Sequence, residues 1–161
     1  MDLAFRIRDL TLRYHVSYFI NNRPDIARLC EADGLHLGPE DMPVSEARKI
    51  VGNMMIGKSS HSMEQAQSAL EEDITYLSVG PVYGTDCKKK PDAEVGTDLL
   101  NKVLSLTDTP IVAIGGITLE NVAAVRQTRV NCCGMIRGIM QASHIKTAAE
   151  RYIDAFETNT P

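Results

Sequence analysis

The strongest constraint on this chain is an alternation: short apolar runs take turns with longer segments of helical period from one end to the other. Residues 2–14 place Leu3, Ile7, Leu10 and Tyr14 on one face and Asp2, Arg6, Asp9 and Arg13 on another, which predicts a core-facing helix. Then come VSYFI (16–20) with PDIARLCEA (24–32), GLHLG with VSEARKIV (44–51), and MMIGK (54–58) with SMEQAQSALEE (62–72). TYLSVG with GTDLLNKVLSL (96–106), PIVAIGG with LENVAAVRQ (119–127), and CCGMIRG with IKTAAERYIDAF (145–156) complete the series. The pattern predicts six strands, each followed by a helix, and seven helices in all. Parallel neighbours need a crossover helix between them, so the class is α/β with a parallel sheet.

Two parallel architectures compete. A chain of 161 residues suits a single domain over 1–161. It is short of the about 200 residues that an eight-stranded barrel ordinarily needs, which favours a doubly wound open sheet. The loops argue the other way. Polar or glycine-rich segments follow at least five of the strands: INNR, LGPED, GKSSHS, GPVYGTDCKKK and IGGIT. A barrel gathers all such loops at one mouth, whereas an open sheet concentrates its site at a switch point, so the distribution favours a barrel-type layout.

Charge and cysteine content narrow the partners. The net charge of −4 supplies no global positive field for nucleic acid. No apolar run has the length of a membrane span or secretion signal, so a cytoplasmic protein with no membrane partner is expected. Cys30, Cys87, Cys132 and Cys133 form no CxxC or His–Cys cluster and read as reduced thiols. His15, His36 and His144 have no metal-ligand spacing and receive no role; His61 is expected to be a structural hydrogen-bonder. The run Lys88, Lys89 and Lys90 after a predicted strand is either a solvated loop or an anion clamp.

Five blocks, FINNRPDIA, ADGLHLGPEDMPVSEAR, IGKSSHS, VGPVYGTDCKK and VAIGGITLENV, resemble thiamine-phosphate synthases in order and spacing over nearly the whole chain. The chain is also similar to their relatives, the thiazole tautomerases. The resemblance implies a TIM-type β/α barrel that joins an aminopyrimidine diphosphate to a thiazole phosphate and releases pyrophosphate with Mg²⁺. Small phosphorylated pyrimidine and thiazole molecules would be the substrates. Family members begin with a strand, a helix and a second strand ending in Gln-x-Arg-x-Lys, and this chain opens at the helix that follows. The expectation is therefore an incomplete barrel lacking the first two strands, with either a homo-oligomer or a complementing N-terminal fragment as partner.

Residue by residue, the resemblance puts Lys88 on the diphosphate-binding lysine and Asn21 and Ser59 on diphosphate contacts, with Lys88 and Asn21 expected to serve catalysis. Thr85 falls on the first of two threonines holding the thiazole phosphate; Cys87 takes the place of the second and is a weaker donor, with Asp86 between them. Gly116 matches a glycine whose backbone faces that phosphate, where a Cβ would hinder close approach. Asp41 and Asn22 occupy the two Mg²⁺ positions, but Asn22 supplies a neutral oxygen where the family has aspartate, so a weakened site is expected. Ile136 and Arg137 replace a small Val-Ser pair, and Arg137 either grips a phosphate or blocks the thiazole subsite. Three of these have a plainer reading beside them: Asn21 as a turn residue, Asp41 as a helix-initiating acid, Gly116 as part of a turn. Three outcomes thus stand: a synthase, a tautomerase-like protein, or a non-catalytic phosphate-binding or oligomerising remnant.

Overall fold

The computed structural model describes residues 1–85 and 92–157. Six strands, β1 (Phe19–Asn21), β2 (Gly34–Leu37), β3 (Met55–Ser60), β4 (Tyr76–Val79), β5 (Ile111–Ile114) and β6 (Cys132–Gly134), pair in parallel in the order β1-β2-β3-β4-β5-β6. That order decides between the two architectures. A doubly wound sheet reverses direction at a switch point, whereas a barrel-type sheet runs on in one sense with every crossover helix on the same side. The chain is a barrel-type α/β fold.

Helices α1 (Asp2–Tyr14), α2 (Pro24–Leu29), α3 (Val44–Val51), α4 (Met63–Leu70), α5 (Gly96–Leu104), α6 (Val122–Gln127), α7 (Arg137–Met140) and α8 (Ile145–Glu157) account for the rest. The count is eight among the described residues, not seven: α7 is a four-residue turn of helix too short to leave an apolar period. Local signals explain several starts. Pro24 opens α2, where its missing N–H is not needed. At α4 the Ser62 hydroxyl accepts from the Gln65 N–H at 3.2 Å while the Gln65 carboxamide accepts from the His61 N–H at 2.7 Å.

Strand alternation sorts the side chains into two sets. Leu35, Leu37, Ile56, Leu77, Val79, Ile111 and Ala113 point toward the helices and are fully buried there, with Ala47, Val51, Ala66, Leu100, Val103, Val122 and Val125 closing the layer. The opposite face carries Phe19, His36, Gly57, Ser59, Tyr76 and Ser78. Two glycines on this face make room for aromatic rings: a Cβ on Gly34 would meet the Phe19 ring, and one on Gly57 would meet the Tyr76 ring. Phe19 and Tyr76 then pack edge to face, with centroids 5.6 Å apart.

Helix α1 departs from its expected role. Leu3, Leu10 and Tyr14 are 66%, 51% and 70% exposed, and no residue of the helix is fully buried. The helix is held from another side, where Ala4 packs on the core and Arg8 pairs with Asp33 at 2.8 Å. Strand β1 also begins later and ends one residue beyond the apolar run, so Asn21 is its last residue and not part of the loop after it. No helix among the described residues is long and apolar enough to cross a membrane.

Candidate active site

Because all strands run in one direction, their C-terminal ends form one rim, and the described site residues proposed from sequence all lie on it. Asn21 ends β1, and Asn22 follows with its backbone in the left-handed region (φ 63°), a conformation asparagine tolerates, its N–H donating to the His36 carbonyl at 2.9 Å. Asp41 lies just past β2, Ser59 is the penultimate residue of β3, and Thr85 lies beyond β4. Gly116 follows β5, while after β6 Ile136 caps α7 and Arg137 is its first residue, Ile136 exposed and Arg137 half-buried. Asp86, Cys87 and Lys88, together with Lys89 and Lys90, lie outside the described residues.

The register brings neighbouring strand ends together: Asn21 pairs with His36, His36 with Gly57, and Ser59 with Ser78. Across this register runs a chain of polar contacts. His36 Nδ1 is 2.8 Å from the Tyr76 hydroxyl, His36 Nε2 is 2.8 Å from the Ser59 hydroxyl, and Ser59 lies 3.1 Å from the Ser78 hydroxyl. Burial, with a smaller contribution from Cys132, pushes the Tyr76 phenol up to about 12, so it stays protonated at neutral pH. The His36 and Tyr76 rings stack at 5.6 Å between centroids. His36, given no role from spacing, is thus the centre of the interior polar network. The signal that would have found it is its inward parity on β2, two residues after Gly34.

The second half of the rim is built from backbone. The Val82 and Tyr83 N–H groups donate to Ile114 and Gly115 carbonyls at 2.8 and 3.1 Å, fastening the segment before Thr85 onto the end of β5. Gly84 N–H donates to the Glu94 carboxylate at 2.9 Å, and Gly96 N–H to the Val82 carbonyl at 3.1 Å, so the flanks of residues 86–91 are drawn together. His61 adds a third tie: one ring nitrogen bonds the Gly80 carbonyl and the other lies 3.4 Å from the Asp92 carboxylate. Gly116 has φ +65°, and a Cβ there would collide with the Tyr83 carbonyl. The fold itself therefore asks for a residue without a side chain here, beside the ligand clearance expected from the resemblance.

Asp41 is partly committed: its Oδ2 accepts the Gly38 N–H at 2.6 Å, leaving one carboxylate oxygen for other use. No group of three or more His, Cys, Asp or Glu residues could hold a metal among the described residues. Mg²⁺ is ordinarily bound by one or two carboxylates completed by substrate phosphate and water, so one carboxylate plus a neutral amide fits the ion only with oxygens from a ligand.

A family model described as thiamine monophosphate synthase matches residues 1–139. The chain belongs to the thiamine monophosphate synthase family. The thiamine-phosphate synthase of Chloroflexus aurantiacus is 37% identical over 160 residues, 99% of this chain and 74% of that protein. That of Lawsonia intracellularis is 41% identical over 140 residues, 86% of this chain and 64% of that protein. The solved structure of thiamine phosphate pyrophosphorylase from Pyrococcus furiosus superposes with a TM-score of 0.92 at 34% identity, covering 99% of this chain and 77% of that one. A 3-hexulose-6-phosphate synthase aligns with a TM-score of 0.69 at 16% identity, which speaks for the shared barrel fold alone. The family places the chain among enzymes of thiamine biosynthesis, and these relatives lend no support to the tautomerase alternative.

Proposed function

We propose that this chain condenses a hydroxymethylpyrimidine diphosphate with thiazole phosphate to give thiamine phosphate and pyrophosphate. The observation that carries the reading is the polar track from Tyr76 through His36 to Ser59 and Ser78, with Asn21 opposite His36 in the register, set in a barrel whose relatives bear the synthase name. In the reaction the bond between the pyrimidine methylene carbon and the diphosphate oxygen breaks, its electron pair leaving with pyrophosphate. The thiazole ring nitrogen supplies the pair that forms the new C–N bond. Negative charge gathers on the departing oxygen, and hydrogen-bond donors fixed in advance around it lower the barrier most.

Asn21 and Ser59 are assigned to the diphosphate as neutral donors, and Lys88, by its match in sequence, supplies the ammonium. Thr85, Cys87 and the backbone at Gly116 are assigned to the thiazole phosphate, with Asp86 between them. Arg137 beside Ile136 adds a guanidinium at the end of β6, suited to gripping a phosphate bidentately. Asp41 and Asn22 would hold Mg²⁺ together with diphosphate oxygens; when bound, the ion neutralises developing charge on the leaving group. Strands β1 and β6 each have one partner among the described residues, and such edges recruit further strands. The working form is accordingly proposed to pair these edges with a second chain or another segment, which sedimentation would read as a species heavier than 17.7 kDa.

The deciding experiment supplies both substrates to the purified full chain and follows pyrophosphate release with and without Mg²⁺. Release that needs both substrates and rises with Mg²⁺ supports the reading. No release, together with no calorimetric binding of pyrophosphate in the presence of Mg²⁺, would overturn it.

A further inference from the structure

We propose that Tyr76 and His36 are positioning residues that form a directional hydrogen-bond relay, fixing the imidazole tautomer so that the Ser59 hydroxyl proton is turned outward to an anionic ligand. The proposal of a direction rests on geometry alone; its purpose rests on the function proposed above, in which Ser59 meets a diphosphate.

The direction follows from counting protons. A neutral imidazole carries one N–H and one lone pair, so the two 2.8 Å contacts of the His36 ring can run either way. A phenol has one proton, and among the described residues the hydrogen-bond partner of the Tyr76 hydroxyl is His36 Nδ1. Were Nδ1 protonated, that phenolic proton would be left without its acceptor in a half-buried position, a costly arrangement. With Tyr76 donating to Nδ1, Nε2 must carry the proton and donate to Ser59. Ser59 then accepts from His36 and can accept from Ser78 as well, 3.1 Å away, so its own proton is free for an anion. In the reverse order Ser59 spends its proton on His36 and presents lone pairs, which an anionic oxygen would be repelled by.

Sequence and packing explain how the relay spans three strands. Tyr76 sits on β4 and His36 on β2, with β3 between them; Gly57 stands opposite both in the register. Because Gly57 has no Cβ, the tyrosine ring lies across β3 and its hydroxyl reaches the imidazole. A larger residue at 57 would cut the relay in the middle.

The test uses the full chain labelled with ¹⁵N-histidine, in the presence of inorganic pyrophosphate and Mg²⁺. The expected spectrum has His36 protonated at Nε2 and bare at Nδ1, and in Tyr76→Phe, which keeps the ring and removes the hydroxyl, the other tautomer becomes populated. A wild-type His36 protonated at Nδ1, or a tautomer indifferent to Tyr76→Phe, overturns the relay. Kinetics provide a second arm: Tyr76→Phe should lower kcat roughly five- to tenfold, the loss expected of one neutral hydrogen bond, and should cost nothing further in a Ser59→Ala background. Equal losses in both backgrounds would mark Tyr76 as merely structural and refute the proposal. If the wild-type chain releases no pyrophosphate at all, the proposed function fails while the tautomer measurement still decides the relay.

Discussion

Exchanging Asp33 for asparagine removes one charge while keeping the shape of the side chain, and it probes what holds α1 to the barrel. Asp33 receives Arg8 Nη1 at 2.8 Å and Nη2 at 3.3 Å, and it accepts the Tyr18 N–H at 2.7 Å. The Arg8 side chain is 16% exposed and that of Asp33 32%, so the pair is shielded from solvent only in part. Its hydrogen bond from Arg8 first, and then the Tyr18 amide, hold the Asp33 carboxyl below the ordinary carboxylate range. Hydrogen bonds to charged groups contribute about 1.5–3 kcal/mol, and discounting for screening leaves about 1–2 kcal/mol for Asp33→Asn at pH 7. A depressed carboxylate stabilises fully above its unfolded value of about 3.9, and that contribution disappears as pH falls through the lower folded value. Urea unfolding followed by circular dichroism should therefore show the gap between wild type and Asp33→Asn at neutral pH and its closure on acidification below pH of about 4. Hydrogen exchange in residues 2–14 should quicken in the variant at pH 7, because this fork is the principal polar tether of a helix with no fully buried side chain. A gap of the same size at pH 7 and in acid would refute the electrostatic account.

Three further outcomes are expected. Gly57→Ala drives a methyl into the Tyr76 ring and should destabilise by about 1–3 kcal/mol in thermal or urea unfolding, whereas Gly52→Ala, where nothing lies within 4 Å, relieves no such contact and tests backbone strain alone. Leu77→Ala, at a fully buried position under the helices, should cost about 2–5 kcal/mol and leave pyrophosphate affinity unchanged in calorimetry. Asn22→Asp restores a charged oxygen on the rim and should tighten Mg²⁺-dependent pyrophosphate binding by roughly tenfold, an effect that should vanish without the ion.

The order of elements was legible because each strand–helix unit announces itself twice, once by a change of period and once by the polar residues that end it. Residues 44–51 illustrate the best case, where the apolar spacing of Val44, Ala47 and Val51 matches the buried face of α3 residue for residue. Helix α1 illustrates the opposite. Its apolar stripe is as regular, yet periodicity reports only that two faces differ, and the Arg8–Asp33 pair, 25 positions apart, decides which side meets the sheet. Ser59 was singled out through family resemblance, but its bonding partner was not: His36 and Tyr76 are brought together by register and by a missing Cβ at Gly57. Gly116 was singled out as a glycine facing a phosphate; that a Cβ there would also meet the Tyr83 carbonyl is visible only in the path of the folded chain.

The two glycine gaps have an evolutionary corollary. Phe19 fills the space above Gly34, and Tyr76 the space above Gly57, so volume on this wall is shared between adjacent strands and not owned by single positions. A descendant of this chain could gain bulk at position 34 only by surrendering it at 19, and at position 57 only by giving up the ring that serves the histidine. Drift inside the barrel is thereby confined to paired exchanges, and the second exchange would also silence the polar track.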